Sequence, residues 1–240
     1  MEHNHNNKVP QCGKSDNRNL EYSKNYSPYK FFRKFIDSDN PLIIDVGAHH
    51  GESILYFKSI FPFSKIISFE PQKDNFEKLK KIAEKNNSVC FNFGVGNKNE
   101  KKFFYHQSLS HLGSFLKINT RSKDSLGYAK DAQNQGEQVD LISLNSFCLN
   151  QKIKNIDLIK IDVQGFEAEV LLGSSKILKN VKSVMIEISL YDFYNGNSRD
   201  NFYSVHKLLN KYNFQLWDIS KISKNPKNLR TDWLEAVFIN

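Results

Sequence analysis

The sequence predicts an α/β domain built on one mostly parallel β-sheet. Short apolar runs typical of buried strands alternate with segments whose apolar residues recur at helical spacing. The last two predicted strands, residues 214–217 and 234–239, are joined by a Lys- and Asn-rich loop that is too short for a crossover helix. We therefore expect a mostly parallel sheet with an antiparallel C-terminal strand and an inserted edge hairpin with a lid loop.

The composition is that of an ordinary globular protein with a modest basic excess. A chain of 240 residues suits one domain with some elaboration. Lysine and arginine number 34 against 26 acidic residues, which gives a net charge of +8. Most of the excess is lysine scattered among Asn and Glu, a pattern typical of solvated surfaces. We therefore do not expect a nucleic-acid partner.

Cysteines and apolar runs indicate the compartment. Cys12, Cys90 and Cys148 are far apart in the chain and form neither a disulfide framework nor a zinc site. No stretch approaches the length of a transmembrane helix, so we expect a reduced, cytoplasmic protein without a membrane span. Residues 1–27 are polar and low in aliphatic side chains, which predicts a mobile tail before a domain over residues 28–240. That domain opens with a short amphipathic helix over residues 28–36.

Residues 42–61 predict a strand, a tight turn and a helix. The run 42–46 is short and apolar, as in a buried parallel strand, and residues 53–61 carry apolar side chains at helical spacing. Glycines in the intervening turn let the backbone approach a ligand without a Cβ in the way. The free N–H groups at the start of the helix point toward the same turn. The candidate ligand-binding residues of the turn are Asp45, Gly47, Ala48, His49 and Gly51.

A second strand over residues 65–71 ends in an acidic residue. Glu70 lies where a carboxylate can accept hydrogen bonds from both hydroxyls of a ribose. The turn pattern Asp45-x-Gly47-x-x-x-Gly51 lacks the closely set glycines that admit a pyrophosphate. S-adenosylmethionine fits, because it combines a ribose, an amino-acid end and a cationic sulfonium. An ordinary strand-turn-helix with an acid there by chance is the alternative.

The alternation of helices and strands continues to residue 150. Residues 74–85 predict a helix capped by Asp74, and residues 88–93 predict a third strand. Residues 101–106 predict an added strand. The long polar stretch 111–137 has little periodicity, and we interpret it as a lid or acceptor-binding loop. The elements that follow are a strand over 139–144 and a helix over 145–150.

The second informative motif is a strand over residues 156–161 with charges at its carboxyl end. Lys160 and Asp162 share one face by the two-residue period of a strand, at the edge where ligand sites of α/β sheets form. A structural ion pair is the alternative. The elements that follow are helical segments beginning at residues 167 and 174, a strand over 184–188 carrying Glu187, and a helix over 200–211.

These motifs together resemble the FkbM family of class I S-adenosylmethionine-dependent methyltransferases. The matching segments are residues 44–51, 69–71, 92–96, 158–167 and 237–239, so the resemblance covers roughly residues 40–240. It implies a Rossmann-like fold with a seven-stranded sheet, S-adenosylmethionine as cofactor, and O-methylation, commonly of sugar or polyketide hydroxyls. It also extends the candidate cofactor-binding residues to Pro71, Asn92, Gly94 and Asp162.

Two positions depart from the commonest family pattern. Gln164 stands where Glu is frequent, which argues against an acid–base role at this position. Asn145 stands where an Asp usually opens the short helix, and we attribute that difference to helix capping.

Methyl transfer to a hydroxyl needs positioning of the acceptor and removal of its proton. The candidate bases are Asp162 and Glu187, which end adjacent central strands, and His111 in the polar loop. A divalent cation held by Asp162 and Glu187 is an alternative that we do not favour, because only two acids present themselves. No metal ligand is therefore assigned.

We expect the methyl acceptor to be a small hydroxylated molecule, either a sugar or glycan or a secondary metabolite. One alternative is a non-catalytic protein of the same fold that binds the cofactor or a partner as a scaffold. Another is a nucleic-acid methyltransferase. A nucleobase N-methyltransferase is disfavoured because the central strand is followed by Asp162-Val163-Gln164-Gly165 and not by Asn/Asp-Pro-Pro-Tyr/Phe.

Overall fold

The structure, a computed structural model, describes residue 21 and residues 24–121, 135–196, 201–225 and 228–240. Most of the predicted mobile tail lies outside these residues. The chain divides into two units, Met1–Asp37 and Ser38–Asn240. In the first unit, helix α1 (Pro28–Phe32) is capped by the Ser27 hydroxyl. This helix ends four residues earlier than the predicted segment 28–36, and a turn follows it.

The second unit is an α/β domain. Its strands are β1 (Leu42–Val46), β2 (Lys65–Phe69), β3 (Val89–Phe91), β4 (Gly94–Val95), β5 (Glu100–Tyr105), β6 (Gly136–Ile142), β7 (Ile156–Ile161), β8 (Val181–Ser189), β9 (Gln215–Lys224) and β10 (Thr231–Ile239). Its α-helices are α2 (Glu52–Ile60), α3 (Lys73–Lys85), α4 (Leu144–Asn150), α5 (Glu167–Leu172) and α6 (Phe202–Asn210). Short 3₁₀ helices cover Ser110–Leu112 and Ile177–Asn180.

The main sheet has seven strands in the order β3-β2-β1-β7-β8-β10-β9. Strands β3, β2, β1, β7 and β8 pair in parallel, whereas β10 is antiparallel to both β8 and β9. The predicted mostly parallel sheet with an antiparallel C-terminal strand is therefore confirmed. Strands β2 and β3 lie on one side of β1, whereas the later strands β7 and β8 lie on its other side. The strand order therefore reverses between β1 and β7, which is the topological switch point of the sheet.

The inserted hairpin forms a separate sheet. Strand β6 pairs antiparallel with β5 and parallel with β4, which gives a three-stranded sheet instead of an extension at the edge of the main one. The loop predicted from residue 111 is present where it is described, but it carries buried apolar side chains and ends slightly earlier than expected. Leu112, Phe115 and Ile118 are buried, and β6 already begins at Gly136. Residues 122–134 of this stretch lie outside the described part.

Two predicted helix caps are replaced by other residues. Helix α3 begins after Gln72, so Asp74 lies inside its first turn and does not cap it. Helix α4 is capped by the Ser143 hydroxyl, which accepts a hydrogen bond from the Ser146 N–H. Asn145 instead accepts hydrogen bonds from the backbone N–H groups of Lys176 and Ile177, at 2.9 and 3.1 Å. Its side chain thus joins α4 to the start of the second 3₁₀ helix.

The core lies on both faces of the central strands. Side chains of β1, β7 and β8 are almost fully buried, which explains their near-continuous apolar sequences. Asp45 and Lys160 are register partners on the neighbouring strands β1 and β7, and they interrupt this apolar pattern. Among the residues that the structure describes, no helix combines the length and apolar character needed to span a membrane.

Candidate functional site

A cavity of about 350 Å³ opens at the carboxyl ends of the central strands. Ligands of open α/β sheets bind at this edge, next to the switch point of the strand order. Nine of the predicted site residues line this cavity, namely Gly47, Ala48, His49, Glu70, Pro71, Gly94, His111, Asp162 and Glu187. Among the described residues, Asp45, Gly51 and Asn92 do not line it. Their contribution to the site is indirect.

The turn after β1 is held close to the end of β7. Gly47 has a φ of +82°, and a Cβ at this position would overlap the carbonyl oxygen of Asp162. The N–H groups of Gly47 and Ala48 both donate to the Phe69 carbonyl at 3.0 Å, while the Asp162 N–H donates to Val46 at 2.9 Å. Glycine is therefore required at position 47 for the turn to lie against β7.

Glu70 follows β2 and is 5% exposed. Its two carboxylate oxygens accept one backbone N–H each, from His49 and from Gln72, both at 2.9 Å. Burial raises the pKa of Glu70 to about 8, although these hydrogen bonds oppose the shift. In the ionised form each oxygen has a second lone pair, so the carboxylate can accept two further hydrogen bonds from a ligand in the cavity, and such bonds would oppose the effect of burial on its pKa.

Asn92 supports the backbone next to Glu70. Its side-chain nitrogen donates to the carbonyl oxygens of Glu70 and Pro71, at 2.9 and 3.0 Å. These bonds connect the end of β3 to the residues that follow β2. Asn92 thus positions Glu70 from behind the cavity wall.

A buried ion-pair network lies beneath the cavity. The Lys160 ammonium is 3.3 Å from Asp162 Oδ2 and 3.9 Å from Asp45 Oδ1, and the Asp45 side chain is fully buried. Burial would lower the pKa of Lys160, but the carboxylates of Asp162 and Asp45 raise it. Burial likewise opposes ionisation of Asp162, yet Lys160 and the hydrogen bond from Gln164 lower the pKa of this carboxyl. Asp162 is therefore ionised at neutral pH and faces the cavity.

Gln164 joins the two candidate catalytic carboxyl groups. Its Nε2 donates to Asp162 Oδ1 at 2.9 Å and to Glu187 Oε2 at 2.6 Å. Its Oε1 accepts a hydrogen bond from the Tyr194 hydroxyl at 3.1 Å, which fixes the orientation of the amide. Burial, with the nearby charge of Asp162, raises the pKa of Glu187 to about 8. One amide nitrogen therefore lies within hydrogen-bond distance of both carboxyl groups.

Histidines cluster at the turn after β1 and in the first 3₁₀ helix. The rings of His49 and His50 stack with centroids 3.6 Å apart, and His49 Nε2 lies 2.8 Å from Ser110 Oγ. Burial and the neighbouring His50 lower the pKa of His49. His111 is exposed, lines the cavity and meets the His49 ring edge-on at 6.4 Å. Within the described part of the chain, His49, His50 and Glu52 bring three potential metal-ligating atoms within 4.8 Å of one another.

Several residues of the cavity wall had no signal in the sequence. Ser110 begins a 3₁₀ helix, and Lys221 and Glu235 come from β9 and β10. Tyr194, behind the wall, reaches Gln164 from a segment that follows β8. Gln164 was noticed only as a departure from a family pattern. Its positive φ of 54° is the conformation that places its amide between two carboxyl groups, and a non-glycine residue rarely adopts it.

Comparisons with known proteins identify the family. The family described as the methyltransferase FkbM domain matches residues 45–216. The 2-O-methyltransferase NoeI of Sinorhizobium fredii is 22% identical over 179 residues, 67% of this chain and 68% of that protein. Methyltransferase 1 of Beauveria bassiana is 30% identical over 146 residues, 56% of this chain and 59% of that protein.

A solved structure shows the same fold. The crystal structure of methyltransferase FkbM from Methylobacillus flagellatus superposes with a TM-score of 0.52 at 14% identity. The match covers 90% of this chain and 50% of that chain, so this chain spans about half of it. The family match over residues 45–216 includes the strands β2, β3, β7 and β8 of the sheet and most of the residues that line the cavity at its switch point. The chain therefore belongs to the FkbM family of methyltransferases, as its motifs predicted.

Proposed function

We propose that this methyltransferase uses S-adenosylmethionine to methylate a hydroxyl group of a small acceptor, either a sugar or glycan or a secondary metabolite. The observation that carries the proposal is the shared cavity. Glu70 lies on one wall, and the Asp162–Gln164–Glu187 arrangement lies on another. One wall suits a nucleoside and the other suits an acceptor hydroxyl.

The cavity residues fit the cofactor. Glu70 keeps lone pairs for two ribose hydroxyls after accepting the N–H groups of His49 and Gln72. The turn at Gly47 and Ala48 lines the cavity and leads into α2, whose first N–H groups suit the carboxylate of an amino-acid end. Asp162 supplies a negative charge that suits a cationic sulfonium. When bound, S-adenosylmethionine supplies an electrophilic methyl group, and its transfer to oxygen releases the hydroxyl proton and S-adenosylhomocysteine.

Glu187 is the group best suited to accept that proton. Its pKa of about 8 lies near the working pH, where a general base is most effective. Asp162 has a lowered pKa and is held by Lys160, so it orients the acceptor hydroxyl and does not take the proton. His111 lines the same cavity from the 3₁₀ helix and is the second candidate base.

Oxygen is the acceptor atom that we favour. The name of the Sinorhizobium relative, a 2-O-methyltransferase, supports an oxygen acceptor at 22% identity. A hydroxyl must lose a proton during methylation, and the arrangement of Asp162 and Glu187 provides a base for it. We also propose that the protein functions without a metal, since the Gln164 amide stands between these carboxyl groups.

The proposal is tested in two steps. Calorimetry with S-adenosylhomocysteine measures whether the chain binds the cofactor product, and we expect saturable binding. Transfer of a labelled methyl group to a panel of glycosides and phenols then measures turnover. Absence of cofactor binding would contradict the proposed activity, whereas binding without turnover on any hydroxylated acceptor would favour a non-catalytic scaffold. Turnover that a chelator abolishes would contradict the metal-free mechanism.

A further inference from the structure

A second cavity of about 250 Å³ adjoins the first one. The two share His111, Gln164, Glu187, Lys221 and Glu235 in their walls, so they are continuous beside the candidate base. The rest of the second wall comes from the segment before Gly113 and from the carboxyl end of β9 with the start of β10. A molecule in this second cavity would present its nearest group to Glu187.

Trp233 gives the second cavity a fixed aromatic wall. The indole lines the cavity and is held by two other rings, Tyr191 at 5.8 Å and Phe193 at 5.4 Å between centroids. The two ring planes are inclined to the indole by 69° and 63°, so both contacts are edge-on. A half-buried indole that is restrained in this way offers a flat apolar surface to a ligand.

Polar groups stand next to the indole. Ser223 is the register partner of Trp233, and Lys221 is the register partner of Glu235, so cross-strand neighbours line the same cavity. They provide a hydroxyl, an ammonium and a carboxylate, which together donate and accept hydrogen bonds. Leu109, Leu112 and Leu234 supply the remaining apolar surface.

The charges of this cavity nearly cancel. Lys221 and Glu235 have opposite charges, and burial keeps Glu187 largely protonated at neutral pH. An anionic acceptor would therefore gain little net attraction. A neutral molecule with an apolar face and several hydroxyls matches both the indole and the hydrogen-bonding groups, and a pyranose ring has these properties.

We propose that the second cavity is the acceptor subsite and that it binds one neutral sugar ring against Trp233, with Lys221, Ser223 and Glu235 holding its hydroxyls. This inference rests on the proposed O-methyltransferase function and names its acceptor class. It assigns Trp233 to acceptor recognition and leaves the cofactor contacts to Glu70 and the turn after β1.

The test uses the fluorescence of Trp233. The chain has two tryptophans, and Trp217 is 52% exposed and lies outside both cavities, so Trp217→Phe leaves Trp233 as the sole indole reporter. The full chain carrying this change is titrated with methyl glycosides of neutral hexoses, hexuronic acids, hexose phosphates and simple phenols. Each titration is run with and without S-adenosylhomocysteine. We expect a saturable fluorescence change with at least one neutral glycoside, and at least tenfold weaker binding of its charged analogues.

Variants at Trp233 complete the test. In otherwise wild-type protein, Trp233→Ala should raise the KM for the glycoside at least tenfold and leave the Kd for S-adenosylhomocysteine within twofold. Trp233→Phe keeps an aromatic face and should recover part of the affinity. The inference is overturned if no neutral glycoside gives a saturable change, if phenols bind more tightly than sugars, or if Trp233→Ala leaves the glycoside KM unchanged. Failure of cofactor binding alone would count against the proposed function and not against the sugar subsite.

Discussion

The side-chain amide of Gln164 donates a hydrogen bond to the Glu187 carboxyl group, with 2.6 Å between Nε2 and Oε2. The same nitrogen also donates to Asp162, and Tyr194 fixes the amide from its other end. One neutral side chain therefore holds two carboxyl groups at the ends of neighbouring strands. We propose that Gln164 has a positioning role in the site.

Replacing Gln164 by Glu places a third carboxyl group beside Asp162 and Glu187. Like charges raise the pKa of at least one member of such a group. We expect the rising limb of the pH–rate profile to move upward by about one pH unit or more, with cofactor affinity within threefold of wild type. Gln164→Ala removes the bridge without adding charge, so it should lower the rate without such an upward shift. Equal profiles for wild type and Gln164→Glu would contradict the positioning role.

Glu187→Gln tests the base directly. Since burial raises the pKa of Glu187 to about 8, the wild-type rate should rise with pH and reach half its maximum near that value. A general base typically contributes about 10²–10⁴-fold to the rate. Glu187→Gln should therefore lower the single-turnover rate by that factor and abolish the rise of the rate with pH.

Asp162→Asn should lower the rate more than it weakens cofactor binding, because the proposed role of Asp162 is to orient the acceptor hydroxyl.

Folding controls separate catalysis from structure in these two variants. Asp162 also pairs with Lys160, so a purely structural role would reduce the melting temperature and every activity together. Thermal melts and cofactor affinity are therefore measured on both variants. If both fold, bind cofactor and methylate within about threefold of wild type, neither carboxyl group is catalytic, and positioning carries the reaction.

Much of the fold was predictable because its causes are local. Strands β1 and β7 are buried on both faces, so their apolar runs mark them in the sequence. The segment after β5 was not predictable. Leu112 ends a 3₁₀ helix, and Phe115 and Ile118 lie in the segment after it, which is neither α-helix nor a named strand, yet all three are buried. Their burial depends on packing against elements that are distant in the chain.

The candidate site was predictable to the extent that its residues follow strands. Glu70 and Asp162 come directly after β2 and β7, and parallel strands deliver such residues to one edge of the sheet. The contact of Gln164 with Glu187 depends on β8 lying next to β7, and Trp233 reaches the site through the antiparallel position of β10. Those relationships follow from the strand order and from no local pattern.

The stability of the protein should fall as the pH rises, because Glu70 and Glu187 both have raised pKa values in the folded state, and a substitution of Glu187 isolates the share of that residue. The folded state raises the pKa of Glu187 to about 8, whereas an unperturbed Glu has a pKa of about 4.5. Unfolding therefore releases a proton between these values, and stability decreases with rising pH through that window. Glu187→Gln mimics the protonated form and keeps an acceptor for Gln164. We expect the melting temperature of Glu187→Gln relative to wild type to rise by at least about 4 °C between pH 6 and pH 9. A constant difference would show that Glu187 is ionised in the folded protein at both pH values.

Glu70→Ala should weaken cofactor binding selectively. The substitution removes the hydrogen-bond acceptor for two ribose hydroxyls and leaves these hydroxyls unpaired. We therefore expect the binding free energy of S-adenosylhomocysteine to weaken by about 1–3 kcal/mol, which raises its Kd roughly 5- to 150-fold. Glu77→Ala is the matched control, because Glu77 is exposed on α3 and lies outside the cavity.

Glu70 also accepts the N–H groups of His49 and Gln72, so Glu70→Ala disturbs the turn after β1 as well. Adenine alone separates the two effects, since it has no ribose. If ribose recognition is the role of Glu70, adenine binding should change less than twofold while S-adenosylhomocysteine binding weakens by the factor given above. An equal loss of affinity for both ligands would mean that Glu70 only maintains the shape of the turn.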